Sequence, residues 1–298
     1  MKFDFVGKRV WWFIISALVI IPGLISMAVQ GFNLGIDFTG GTLLDLKFSR
    51  AVSVSEVRDA LLPFGLEHST IQAYSTGNMQ EGSAEAVLIR TKVLTDDERR
   101  AALTGIADRV APFEILRVEK VGAVIGGELA QKALLALSIT TLGIIAYVSW
   151  RFEYKFAVAA VIALFHDILI VMGAFSLMQK EIDSTFVAAI LTVFGYSISD
   201  TIVIFDRIRE NLRTFRKGDD IEAMVNKSIW QTLARSIYTV LTVLMATLSL
   251  YLFGGETTKN FALALLIGFI SGAYSSIFNA SQIWVVWREI EQRKRATA

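Results

Sequence analysis

The chain has no cysteine and only two histidines, His68 and His166, among 298 residues. These shortages exclude disulfides, thiol chemistry, iron–sulfur clusters and cysteine zinc sites, and leave too few imidazoles for an all-protein zinc centre. Proline is scarce too, with three in the whole chain, which suits long helices. Charge is the next shortage. Asp, Glu, Lys and Arg make up 19% of the residues, against about 25% in soluble domains. The net charge of +1 excludes a globally basic nucleic-acid binder. Hydrocarbon takes the place of charge, with 54% hydrophobic residues and a mean hydropathy of +0.53. The composition is that of an integral membrane protein.

The first apolar run covers 10–29, close to the roughly 20 residues that cross a bilayer. It follows Lys2, Lys8 and Arg9, and Ser26-Met27-Ala28 has the small residues of a cleavage site. The run is longer than the about 7–15 residues of a signal-peptide core, so a retained anchor is expected. Five further runs follow at 129–150, 156–178, 184–205, 233–253 and 261–287. Two connections are long, 30–128 and 206–232, and six spans leave both ends on one side. Basic residues orient the set. A cytoplasmic N-terminus puts Lys2, Lys8, Arg9, Arg151, Lys155, the cluster Arg207, Arg209, Arg213, Arg216, Lys217 and Lys227, and finally Arg288, Arg293, Lys294 and Arg295 inside. The short outer connections carry only Lys180 and Lys259. Trp11, Trp12, Trp150, Trp230, Trp284 and Trp287 fall at the same inner ends, as expected of an aromatic belt at headgroup level.

The outer segment reads as a folded domain. Alternation predicts strands at 42–48, 69–74, 84–91 and 113–121, with a polar turn through 76–83. Helices are expected at 53–64, capped by Ser53 or Ser55, and at 95–110, capped by Thr95 with Asp96, Asp97 and Glu98 in its first turn. The order β-α-β-β-α-β is the split βαβ, ferredoxin-like arrangement. The expected fold class is therefore a six-span α-helical membrane protein with a small α+β ferredoxin-like extracytoplasmic domain between spans one and two. No catalytic constellation is visible in it, so a non-enzymatic role is expected, with no cofactor.

Inside the membrane the costly residues are His166 and Asp167 in span three, Asp200 in span four and Arg235 at the start of span five. A charge at the bilayer centre costs about 2.5–3.5 kcal/mol on insertion scales, so each needs an interior partner or an aqueous cavity. Helical spacing puts Thr192, Tyr196, Ser199 and Asp200 near one face, with Arg235 entering from the same side at nearly the same depth. Asp200 and Arg235 form either a proton-sensitive switch or a static salt bridge with a snorkelling arginine. His166 and Asp167 point about 100° apart, so they are expected to serve different neighbours, as a proton relay or as a packing lock. Asp206, Arg207, Arg209, Glu210, Asn211 and Arg213 read by composition as a solvated cytoplasmic face, and Asp219, Asp220 and Glu222 dilute any lipid-binding charge. Gly35-Ile36-Asp37-Phe38-Thr39-Gly40-Gly41-Thr42 is not a phosphate loop, because the Lys-Ser/Thr ending is absent. It reads as a turn into a strand, with Asp37 bonding the turn backbone.

Three segments together resemble the SecF branch of the SecD/SecF protein-export family: Gly35–Thr42, the His166-Asp167 pair, and the stretch GYSISDTIVIFDRIREN from Gly195 through Thr201 to Asn211. Ser199 departs from the asparagine usual in that family, which changes the hydrogen-bonding neighbourhood of Asp200. The resemblance implies a bundle related to resistance-nodulation-division exporters, of which this chain is half and SecD the other half. It implies the SecYEG translocon, a translocating preprotein and membrane lipid as partners, and use of the proton-motive force. It carries the family's span-four aspartate onto Asp200 and its span-five arginine onto Arg235. Competing readings are a proton-coupled exporter of solutes or lipids, a passive translocon scaffold, and an intramembrane protease using Asp167 and Asp200. The small residues Gly268, Ser271, Gly272, Ser275 and Ser276 in span six are expected to permit close helix approach, as a SecD contact surface would require.

Overall fold

The structure is a computed structural model that describes residues 3–74, 84–216 and 218–297. The expected turn at 76–83, Lys2 and Lys217 lie outside the described residues, as does the side chain of Arg295. In chain order the elements are α1 (Arg9–Val29), β1 (Asn33–Leu34), α2 (Ile36–Thr39), β2 (Gly41–Val52), α3 (Val54–Leu61), β3 (Thr70–Tyr74), β4 (Ala84–Thr91), α4 (Asp96–Arg109), β5 (Phe113–Val121), α5 (Ala123–Arg151), α6 (Tyr154–Leu177), β6 (Glu181–Ile182), α7 (Ser184–Leu212), α8 (Ile221–Phe253), α9 (Glu256–Ser275) and α10 (Ser281–Thr297). The chain divides into two units, Leu34–Leu134 and the remainder, Met1–Asn33 with Leu135–Ala298.

In the smaller unit, strands β3-β4-β2-β5 form one antiparallel sheet. β2 lies between β4 and β5, and its residues Thr42 through Leu46 are all buried. Leu44, Leu46 and Phe48 face Val57, Ala60 and Leu61 of α3 and Ala102 and Ile106 of α4. Each helix starts on a reciprocal capping box, Ser53 with Glu56 and Thr95 with Glu98, which supplies two of the orphan donors at each N-terminus. The glycine motif ahead of the sheet is a single helical turn, α2, and not an open turn. Gly40 follows it with φ +71° and Gly41 with φ +141°. A Cβ on Gly40 would lie 2.7 Å from Ala123 Cα, and one on Gly41 would lie 2.5 Å from Thr91 O. The motif lets the backbone turn while touching the first turn of α5.

In the larger unit, six helices among the described residues are long and apolar enough to cross a membrane. The last is α9 and α10 joined through a π-helical turn, Ser276–Ala280. Two helices exceed their apolar runs. α7 continues to Leu212 and α8 begins at Ile221, so most of 206–232, expected as a loop, is helix. Hydropathy marks the stretch in hydrocarbon, whereas the helix goes on in water as long as its polar side chains find partners. α1 packs on α6, where Gly23 and Gly173 meet backbone to backbone and Ser26 Oγ and Ser176 Oγ are 2.8 Å apart. The cleavage-like Ser26-Met27-Ala28 therefore lies inside a packed helix.

The tryptophans do not all form a belt. Trp11 and Trp150 are exposed, but Trp284 is fully buried and stacks on Phe156 with centroids 4.7 Å apart. Trp12 and Trp230 hold the N-terminal segment, donating from Nε1 to Phe5 O and Phe3 O at 2.9 Å. Asn226 accepts from the Phe5 and Val6 amides and donates to Asp4, while Arg9 bridges Glu222 and Glu289.

Two outcomes are expected. Gly40→Ala should destabilise the smaller unit by about 2 kcal/mol or more, from a strained φ together with the overlap on Ala123, read as lost hydrogen-exchange protection of β2. The Gly7 amide and the Asn226 amide hold the Asp4 carboxyl below the usual carboxylate range. A lowered folded-state value contributes stability at neutral pH that is lost on acidification. The N-terminal segment should therefore stay docked from pH 8 to 5 and loosen below about pH 4, read as tryptophan emission against a Trp230→Phe chain.

Candidate functional site

The costly residues found in the sequence fall into two polar clusters that meet α7 at Ser197 and at Asp200, one turn apart. Asp167 is fully buried and its carboxylate receives four hydrogen bonds. Ser271 Oγ donates to Oδ1 at 2.6 Å, and Ser197 and Ser275 donate to Oδ2 at 2.6 and 2.8 Å. The fourth is from His166 Nδ1 at 3.0 Å. The expectation that His166 and Asp167 serve different neighbours is thus corrected: the imidazole turns back along the helix and bonds the adjacent carboxylate. With Nδ1–H spent there, Nε2 accepts from Ser16 Oγ at 2.9 Å, and Ser16 in turn accepts from Asn279 Nδ2 at 2.9 Å. A neutral imidazole satisfies every one of these bonds. The cluster ties α1, α6, α7, α9 and the π-helical turn together.

Each hydrogen bond to a charged group nets about 1.5–3 kcal/mol. Four of them offset the about 2.5–3.5 kcal/mol cost of a charge in the bilayer. The small residues of span six are part of this arrangement. Gly268 faces Val193, and Gly272 lies against Ser197, so they bring α9 close to α7 within the chain instead of forming a surface for another subunit.

Asp200 sits in a different environment. It is 8% exposed, and Ser236 Oγ of α8 donates to Oδ1 at 2.6 Å. Oδ2 is buried with no hydrogen-bond partner among the described residues, and so is the hydroxyl of Tyr196, four residues earlier. The expected Asp200–Arg235 ion pair is not formed. Arg235 lies on the exposed face of α8, within electrostatic reach of Asp200, and its neighbour Ser236 makes the contact. One residue on a helix turns the side chain by about 100°, so matching depth did not guarantee pairing. Asp167 and Asp200 share no partner, which argues against an aspartyl dyad.

The expected solvated face at the end of α7 is a brace. Arg207 Nε donates to Gln231 Oε1 at 2.8 Å, and Asn211 Nδ2 donates to Ser228 Oγ and Gln231 Oε1 at 2.7 and 2.9 Å, clamping α7 to α8. Arg207 also pairs with Glu210. Asp206 lies 3.4 Å from Arg151, and Arg209 donates to Arg151 O, fastening α7 to the end of α5. Thr201 Oγ1 is 2.8 Å from Ser276 Oγ. Gly195 is exposed, with no atom near an added Cβ. Gly35 caps α2, and Asp37 lies in its first turn.

The comparisons with known proteins match this architecture. The model described as protein export membrane protein SecD/SecF, C-terminal, matches residues 103–290, and the SecD/SecF GG motif matches 25–52. The chain belongs to the SecD/SecF family. Protein translocase subunit SecF of Acidaminococcus fermentans is 46% identical over 97% of this chain and 98% of its own. Protein translocase subunit SecDF of Bacillus subtilis is 37% identical over 98% of this chain but only 39% of its own. The crystal structure of SecDF from Thermus thermophilus, a translocon-associated membrane protein, superimposes with a TM-score of 0.88 at 34% identity, over 97% of this chain and 39% of that one. Within the SecD/SecF frame, the GG-motif match contains Gly40 and Gly41, and the C-terminal match contains both carboxyl clusters. It is a multi-pass protein of the bacterial inner membrane.

Sequence reasoning missed Ser16, Ser236 and Asn279, had Ser197 only as part of the span-four motif, and took Ser271, Ser275 and Ser276 for close-packing residues instead of hydrogen-bond donors. A signal was present in Ser271, Ser275 and Asn279, spaced by four along an apolar run as a polar stripe, two of which reach Asp167 and the third Ser16. Removing Asp167 strands several buried donors. Asp167→Ala should cost the about 3–5 kcal/mol typical of breaking a buried charge network, and Ser197→Ala about 1.5–3 kcal/mol. The exposed Arg235→Met should stay within about 0.5 kcal/mol. Thermal unfolding of the purified chain in detergent checks the order.

Proposed function

We propose that this chain is a SecF-type accessory subunit that pairs with a SecD-type subunit and uses the proton-motive force to promote preprotein translocation through SecYEG. We read it as a transport component and not an enzyme, with both termini cytoplasmic and residues 30–128 outside, where the four-stranded sheet is of the ferredoxin-like kind. Pairing with a SecD half is supported by relatives in which this chain matches 39% of a longer SecDF chain. It is also supported by α5 and α8, whose apolar residues are mostly unburied within the chain.

The observation that carries proton coupling is the contrast between the two buried carboxyls. Asp167 is saturated by donors, while Asp200 has, among the described residues, one bond and one buried oxygen without a partner. Asp200 is the group that can take up a proton without dismantling the bundle. In this reading, ionised Asp200 holds α8 through Ser236 and attracts the nearby Arg235. A proton arriving from outside neutralises it and frees α8 to shift against α7 about the Asn211–Gln231 brace. Release to the cytoplasm restores the first state, and the outer unit follows the cycle to help draw the preprotein across. His166 and Asp167 act as the packing lock that keeps α6, α7 and α9 together.

A charge crossing the full potential gains about 2.3 kcal/mol per 100 mV, enough to shift a two-state equilibrium roughly fiftyfold. The test is completion of translocation without ATP in vesicles carrying the chain with its SecD partner, with and without a proton gradient. The gradient should accelerate the wild type and leave Asp200→Asn and Arg235→Met unaccelerated, with membrane insertion and SecD binding intact. An equal response in all three would make the charges structural and the subunit a passive scaffold.

A further inference from the structure

At the basic end of the bundle, Arg151, Arg209 and Arg213 line a cavity of about 380 Å³. Its apolar wall is Phe152, Phe156 and Leu212, and Glu153 is the one acid on its lining. We propose that this cavity binds the phosphate headgroup of an anionic phospholipid of the phosphatidylglycerol type. Guanidinium groups match phosphate oxygens through paired donors, and these three have donors to give. Arg209 uses one on Arg151 O at 3.2 Å, which leaves four of its five. Arg213 is exposed, and its guanidinium bonds no described residue. Arg151 pairs with Asp206 at 3.4 Å, but both side chains are about four-tenths exposed, and such pairs contribute little against a competing anion.

Position points to a lipid. Trp150 is 85% exposed and Tyr154 59%, on either side of the segment that lines the cavity. Exposed amphipathic rings of this kind sit at the headgroup level of a bilayer. The Arg151 and Arg209 guanidiniums lie 5.5 and 5.9 Å from the Phe152 ring, so the cations rest on an apolar floor. That floor suits a glycerol ester below a phosphate, and basic pockets between membrane helices are where acidic headgroups bind. Glu153 disfavours a bare phosphate ion and accepts hydrogen bonds from headgroup hydroxyls. The site requires only that this end of the bundle lie at a membrane surface, and it is independent of proton coupling.

The test is native mass spectrometry of the full chain in detergent, offered equal amounts of phosphatidylglycerol and phosphatidylcholine. Phosphatidylglycerol should be retained preferentially. Its enrichment should fall about fivefold in Arg213→Gln, as expected for one arginine near an anionic surface. Arg209→Gln should lower it at least as much. Arg216→Gln, which removes the same charge from the same connection but lies outside the cavity, should leave it unchanged. Equal retention of both lipids would overturn the proposal, as would a loss in Arg216→Gln as large as in Arg213→Gln. Displacement of the lipid by excess inorganic phosphate would reassign the cavity to the free ion.

Discussion

A bilayer interior contains no water to complete a hydrogen bond, and the larger unit is arranged around meeting that constraint at Asp167. A carboxylate has room for about four donors, and here four arrive: three serine hydroxyls and the adjacent imidazole. Supplying them requires α7 and α9 to approach closely, which explains glycine at 268 and 272, where any Cβ would strike Val193 or crowd Ser197. It also explains the π-helical turn. The extra residue in that turn re-aims Ser276 at Thr201 and Asn279 at Ser16, extending the network to α1. One carboxyl group thereby sets the spacing and rotation of several helices.

The same constraint divides the bundle by how firmly its helices are held. α6, α7 and α9 share the Asp167 network together with the apolar core around Phe156, Phe205 and Trp284. α8 is clamped to α7 by Asn211, Gln231 and Ser228 near its start, meets Asp200 through the single hydroxyl of Ser236, and beyond that point presents a largely unburied face. α8 is thus fixed near its start, meets Asp200 at mid-depth through one hydroxyl, and packs along α9.

Much of this was legible in the sequence, for identifiable reasons. The six spans followed from the length of apolar runs, and the strands and helices of the smaller unit from alternation and from the capping signals at Ser53 and Thr95. These are local properties, fixed by neighbours in the chain. Contacts between distant helices were not legible in the same way. Depth along a helix can be counted, so Asp200 and Arg235 were correctly placed at one level, but rotation depends on packing, and one residue's difference gave the contact to Ser236. Ser271 and Ser275 were read as small packing residues and not as donors to Asp167, because a lone serine in an apolar run costs little. Only their convergence on one carboxylate gives them weight. Trp284 was assigned to the interface by position and lies in the core, because tryptophan at a helix end suits either place.

The two carboxyls differ most in how many donors hold them. Asp167 receives four hydrogen bonds, at about 1.5–3 kcal/mol each, or roughly 6 kcal/mol at the least. One proton crossing 100 mV delivers about 2.3 kcal/mol. On the proposed proton-coupled reading, that energy is comparable to the single bond at Asp200 and well below the sum of the bonds at Asp167. A carboxylate so well satisfied makes a durable fastening and a poor switch, while one with an oxygen left over has the opposite character. Asp167, on α6, holds α7 through Ser197, one turn before α7 carries Asp200, so the well-bonded carboxyl fastens the helix next to the sparsely bonded one.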